Sequence, residues 1–239
     1  MAKLLRTMTV HRHIDDELLV LQRMLFEMAD LVDEQMANAI DALLRRDLEL
    51  AERVRARDDE VDAYELKIDR QCERILALHH PVAAELRMII TAVKVNTDLE
   101  RIGDHCKNLA KHTPYVVQAP EALAQTRIEE MADASRAMLR QVQEAFLKRD
   151  RLLARQVLAE DLQIDRLHRE NFEQLVRFGQ QHPEHLEAVA HLITASKALE
   201  RISDHAKNIA ESVVFLIEGV DIRHRKLREP QAQEGERPL

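Results

Sequence analysis

The sequence predicts an all-α protein made of two tandem antiparallel three-helix bundles, and three observations support this. The 239 residues include only four glycines, no tryptophan and 3% aromatic residues, against 46% hydrophobic and 33% charged. A sheet protein of this length needs turn-formers and β-branched or aromatic strand residues in quantity, so the balance favours helices. Apolar residues recur at spacings of three and four over long stretches, the period of a helix with one buried face. The chain also repeats itself. Leu99–Ala110, LERIGDHCKNLA, returns as LERISDHAKNIA at Leu199–Ala210 with nine of twelve positions identical. Upstream the offset is 103: Met28, Ala29, Asp30, Ala42, Leu44, Arg46, Asp47, Leu50, Ala51, Val54, Ala56, Asp58 and Asp62 recur between Met131 and Asp165. Two units of about 100 residues follow.

Each unit divides into three helices. After an N-terminal extension over 1–11, the first helix spans 12–46 and stops before Asp47, whose carboxylate can cap the next helix, 48–78. His79, His80 and Pro81 break the chain before a third helix at 82–112. Pro114 and Pro120 bracket the link between units. The second unit follows the same plan: a helix at 121–149, an Asp150 cap, a helix at 151–178, a break at Pro183 and a helix at 184–218. At 1.5 Å per residue these helices are roughly 40 to 50 Å long, so each needs neighbours to cover its apolar stripe. The bundles are thus expected at 12–115 and 116–219, with a charged, disordered tail over 220–239. The change of offset belongs in the loops holding His80-Pro81 and His182-Pro183.

Val95, Leu99, Ile102, Cys106 and Leu109 line one face of the third helix, and Ala195, Leu199, Ile202, Ala206 and Ile209 repeat it. Glu100, Asp104 and Asn108 are spaced i, i+4, i+8 on the other side and are expected to face solvent, as are Glu200, Asp204 and Asn208. The second helix adds Asp58, Asp62, Glu65 and Asp69, and two acidic stripes can adjoin. In the second unit Asp161 and Asp165 keep two positions, while His168 replaces Glu65 and Phe172 replaces Asp69. Like charges one turn apart cost an isolated helix roughly 0.2 to 0.5 kcal/mol per pair, so a repeated pattern calls for a compensating partner. Oxygen donors suit hard cations and iron, including manganese or magnesium, and the motif lacks the cysteines of a structural zinc finger. Gly103 and Ser203 leave room for a cluster or a close helix neighbour.

A plainer reading is a solvated face, with Lys107 and Lys207 each three residues after the motif aspartate and pairing within the helix. His105 and His205 turn about 100° from the carboxylate line and rank as additional ligands only. His79, His80, His182, His185, His11 and His13 read as polar loop or surface residues, and Cys72 and Cys106 as core filler. The net charge of -8 has the wrong sign for nucleic acid. Apolar runs such as Ser212–Ile217 are too short to span a bilayer, and no apolar signal region opens the chain, so a soluble cytoplasmic protein is expected.

At LERIGDHCKNLA and LERISDHAKNIA the sequence closely resembles the PhoU family, regulators that accompany the phosphate-specific transport system of bacteria. The resemblance covers roughly 12–218 and includes the duplication, the E(D)xxxD motifs, the DxxVD and DxxID segments, and PVAAELR opening the third helix. It implies surface metal clusters, iron or zinc, on Glu100, Asp104, Glu200 and Asp204, supported by Asp58, Asp62, Asp161 and Asp165. It also implies a negative regulator without catalytic turnover, commonly dimeric. Its partners would be the ATPase of the phosphate ABC transporter and the phosphate-sensing histidine kinase. The first unit's site is expected to be richer in carboxylates. Two rival readings are a ferritin-like di-metal oxidase, opposed by the absence of inward Glu-x-x-His pairs, and a helical adaptor that works without metal.

Overall fold

A computed structural model describes residues 2–223, with side chains from Ile14 onward; the expected tail beyond 223, and His11 and His13, lie outside the described side chains. The described residues are helical with no strand, in the order α1 (Ala2–Arg45), α2 (Leu48–Ala56), α3 (Asp58–Leu78), α4 (Ala84–Lys111), α5 (Thr113–Val116), α6 (Pro120–Ala124), α7 (Ile128–Lys148), α8 (Arg151–Gln181), a 3₁₀ turn (Pro183–His185) and α9 (Leu186–Glu218). The first unit bundles α1, α3 and α4 and the second α7, α8 and α9, as the duplication requires.

Local chemistry sets the breaks. Asp47 accepts a hydrogen bond from the Leu50 amide at 2.9 Å, and Asp150 accepts from Leu152 and Leu153 at 2.8 and 3.1 Å, so both aspartates cap as their positions foretold. The residue before each, Arg46 or Arg149, takes a left-handed backbone conformation that turns the chain out of the preceding helix. The offset change falls in the expected loops: residues 79–82 of the first unit match His182 alone in the second, after α3 and α8 end at equivalent positions.

Three expectations are corrected. The helix placed at 48–78 is interrupted at Arg57, where α3 starts on the acidic run Asp58, Asp59, Glu60, and that run suits the positive end of a helix dipole. Its second-unit counterpart α8 is continuous. The helix placed at 121–149 begins only at Ile128, because Pro120 starts the separate short helix α6. And α1 runs unbroken from Ala2, so no break sets residues 1–11 apart from the first helix.

Leu21, Leu25, Met28, Val32, Met36, Ala39 and Leu43 form the buried stripe of α1, packed on Ile68, Ile75, Leu99, Ile102 and Leu109. Cys72 and Cys106 are buried free thiols, and burial pushes both up, Cys72 to about 12, so neither is a ready nucleophile or ligand. Gly103 permits the close approach of α4 to its own bundle: a β-carbon there would lie 3.2 Å from Val61 Cγ1 and 3.4 Å from Gln35 Oε1. The small residue therefore serves helix packing. Ser203 takes the equivalent place, its hydroxyl 3.0 Å from that of Ser135 and 3.1 Å from the Leu199 carbonyl.

The units pack side by side through antiparallel α4 and α9, with α1 beside α7. Four helices thus form a layer in the order α3, α4, α9, α8, and α1 and α7 cover one side of it. Arg136 and Arg140 on α7 hold Asp33 on α1 at 3.2 and 3.1 Å, and Gln143 donates to the Ala29 carbonyl at 2.9 Å. Substituting Asp150→Ala removes the carboxylate oxygen that accepts from two backbone amides and is expected to cost about 1 kcal/mol in urea unfolding, with little change in the transition's denaturant slope.

Candidate metal-binding face

On α4 the core stripe and the surface that meets α9 occupy two sectors of the helix, and the motif carboxylates occupy the flank towards α3. The two glutamates do not stand out into solvent as the periodicity suggested, whereas Asp104 keeps a side chain 42% exposed and Asn208 is exposed as expected. The side chains of Glu100 and Glu200 are each only 14% exposed. For the glutamates the expectation failed because they lie at the side of the helix, where the neighbouring helix covers them. Asp58 and Asp161, on α3 and α8, are more enclosed still, at 3% and 5%.

Among the described residues each buried aspartate has one close cation, a lysine from the motif helix of its own unit. Lys107 Nζ lies 2.6 Å from Asp58 Oδ2, and Lys207 makes the same bond to Asp161 Oδ2. The expected pairing of these lysines within their own helix is thus corrected: they reach across to the adjacent helix, and Asp104 is instead met by Arg101 at 3.2 Å. Gln35 also donates to Asp58, at 3.4 Å.

The remaining carboxylates lie close enough to repel one another. Burial, then Asp104, raises Glu100 to about 7, with Glu65 and Asp62 adding to the rise and Arg101 opposing it. Its Oε2 is buried without a hydrogen bond, although Arg101 Nε lies 3.3 Å away. Asp62 is raised by burial, then Asp58 and Asp104; Glu65 by burial, then Asp69 and Asp62. In the second unit burial, then Glu200 and Asp161, raises Asp204, and Lys197 pairs with Glu200. Among the described residues, no three His, Cys, Asp or Glu side chains converge in a geometry that could hold a metal ion as they stand. The donor chemistry, carboxylate oxygens with a buried unbonded Oε2 on Glu100, nevertheless fits a hard cation or iron.

Other predicted ligands point elsewhere. His205 Nδ1 lies 2.9 Å from Asp98 Oδ1, and Asn208 donates to the same oxygen at 3.2 Å, so both are committed to the contact between units. His105 sits in that seam as well, its ring centroid 5.5 Å from that of His205, and burial lowers it to about 4. His105 and His205 are turned from the carboxylates by the rotation that separates successive helix positions, whereas Asn208, one turn beyond Asp204, is drawn to the seam by its bond to Asp98. Asp69 accepts from Asn96 Nδ2 at 2.9 Å, while in the second unit Ser196 stands where Asn96 does and its hydroxyl lies 2.9 Å from His168 Nδ1. Phe172, in place of Asp69, is half exposed. Asp165 acts electrostatically on His168, raising it against a fall caused mainly by burial. Asp98 escaped the sequence reading because it precedes the repeated block and its counterpart is Ala198.

The profile of the PhoU domain matches residues 25–113 and, again, 128–213. The chain belongs to the PhoU family. It is 35% identical over 225 residues to the phosphate-specific transport system accessory protein PhoU homolog of Pseudomonas putida, covering 94% of this chain and 88% of that protein. The protein of the same description from Pseudomonas aeruginosa is 36% identical over 201 residues, covering 84% and 83%. The crystal structure of PhoU from Pseudomonas aeruginosa superposes with a TM-score of 0.82 at 34% identity, covering 86% of this chain and 99% of that one. That of the phosphate transport system regulatory protein PhoU from Streptococcus pneumoniae gives 0.80 at 28%, covering 87% and 99%. The two profile matches fall on the two PhoU bundles described above, and the PhoU motif lies on the paired helices α4 and α9.

Burial and Asp104 push the Glu100 carboxyl from its ordinary 4.5 up to about 7 in the folded protein. Between those values the folded protein keeps a proton that the unfolded chain has released, so this group makes stability fall as pH rises through that window. Metal-free Glu100→Gln is therefore expected to gain urea resistance relative to wild type on going from about pH 5 to about pH 8. A difference between the two proteins that stays constant with pH would contradict the raised carboxylate.

Proposed function

We propose that this chain is a cytoplasmic accessory regulator of phosphate uptake that binds metal on the acidic flanks of α4 and α9. It would act by contact with a phosphate ABC transporter and a phosphate-sensing histidine kinase. The observation that carries the metal half of this reading is the repetition, in both units, of a glutamate-aspartate motif set against a nearly buried aspartate of the next helix. Membership of a family whose relatives are described as accessory proteins of phosphate-specific transport supports the regulatory half. Among the described residues no helix is long and apolar enough to cross a membrane, consistent with action as a partner of membrane proteins.

Glu100, Asp104, Asp58 and Asp62 would hold the cation in the first unit and Glu200, Asp204, Asp161 and Asp165 in the second. Iron, zinc, manganese or magnesium would neutralise carboxylates that now repel one another. Because those carboxylates belong to two helices, a cation shared between them would fix the flank of α3 against α4 and that of α8 against α9. One partner surface, or a second copy in a homodimer, could read both sites. The first unit keeps Glu65 and Asp69 where the second has His168 and Phe172, which favours the first site for the more highly charged ion.

Wild-type protein purified without a chelating tag is expected to carry stoichiometric metal by elemental analysis. The combined variant Glu100→Gln, Asp104→Asn, Glu200→Gln, Asp204→Asn is expected to lose it and to lose phosphate-dependent repression in cells. Repression by a folded, metal-free variant would sink the link between metal and regulation.

A further inference from the structure

We propose that Lys107 and Lys207 are resident counter-ions of Asp58 and Asp161, which an incoming metal ion must displace, and that they set the affinity of the two sites. This rests on the metal-binding reading above. Enclosing a carboxylate as fully as Asp58 or Asp161 is costly unless a cation pairs with it. The partner found in each unit is the lysine.

The two ends of each bond are unequal. Asp58 and Asp161 are fixed on α3 and α8, whereas the lysine side chains are 45% and 37% exposed and reach in from a long flexible stem. An ammonium group so placed can swing into water while the aspartate stays, so exchange of cations demands little of the backbone. The bond directs a carboxylate oxygen of Asp58 at the lysine of the motif helix. Release of the lysine would free that oxygen and remove a positive charge that repels any incoming cation. The lysine lies within the field of the same carboxylates, since Asp104 and Asp62 act on Lys107 and Asp204 on Lys207. A cation recruited by those groups therefore meets the lysine at the place it must occupy.

The two copies are graded. Lys207 is the less exposed lysine, and Glu211 acts on it besides Asp161 and Asp204. The first unit has the more exposed lysine and the longer run of carboxylates on α3, so its site is expected to fill first.

The test titrates full-length, metal-free protein with Zn²⁺ in competition with a chromophoric chelator, for wild type, Lys107→Met, Lys207→Met and the corresponding arginine variants. Each methionine variant is expected to bind one equivalent at least about tenfold more tightly, in the range by which groups bonded to ligands tune metal sites. Arginine, which keeps the competing charge, is expected to return the affinity to that of wild type. The same displacement should make reductive methylation of Lys107 and Lys207 in wild type faster with Zn²⁺ than without, a readout that stands even where a methionine variant fails to fold. Equal affinities together with unchanged methylation overturn the proposal and leave the metal sites standing. Failure of wild type and all variants alike to bind Zn²⁺, Mn²⁺ or Fe²⁺ removes the metal sites and this proposal together.

Discussion

The pairing of α4 with α9 is the constraint on which the rest of this structure depends. Each of these helices must cover the core of its own bundle and also the matching helix of the other unit. A helix has one circumference, and two buried sectors leave only a flank and a narrow back for polar residues. The motif carboxylates occupy that flank. Their partial burial, their mutual repulsion and their nearness to α3 and α8 all follow from the division of the helix surface. So does the strength of the internal repeat in this stretch, where three separate packing demands fall on consecutive residues.

Much of the architecture was legible in the sequence because it is set locally or by periodicity. Asp47 and Asp150 cap as read, since a cap needs only its own carboxylate and the next turn of amides. The apolar stripe of α4 is buried where a period of 3.6 places it. What escaped reading depends on neighbours. The interruption at Arg57 is tied to Arg57 reaching Glu34 on α1 at 2.9 Å, a contact between helices that no local pattern announces. The short helices α5 and α6 fall in the link, where two prolines mark a turn without specifying its geometry.

The site was half legible for the same reason. Residue types and spacing pointed to Glu100, Asp104 and their repeats, and to Asp58 and Asp161 across from them. Which carboxylate meets which cation was not readable, because a lysine three residues after an aspartate has two plausible partners and only the placement of the next helix decides between them. Lys107 chose the buried partner, where an ion pair is screened least and the alternative of an unpaired charge is most costly. His105 and His205 lie beside the carboxylates in sequence and in the seam between the units in space.

The duplication is imperfect at one position of that seam, where Asp98 has Ala198 as its counterpart. Asp98 grips His205 and Asn208 of the other unit, whereas the reciprocal contact, from residue 198 to His105, has no acid to make it. Two first units facing each other would set two such aspartates into a single seam; two second units would have none. The descendants of one duplicated unit therefore meet across an unequal seam, with the acid supplied by the first half alone.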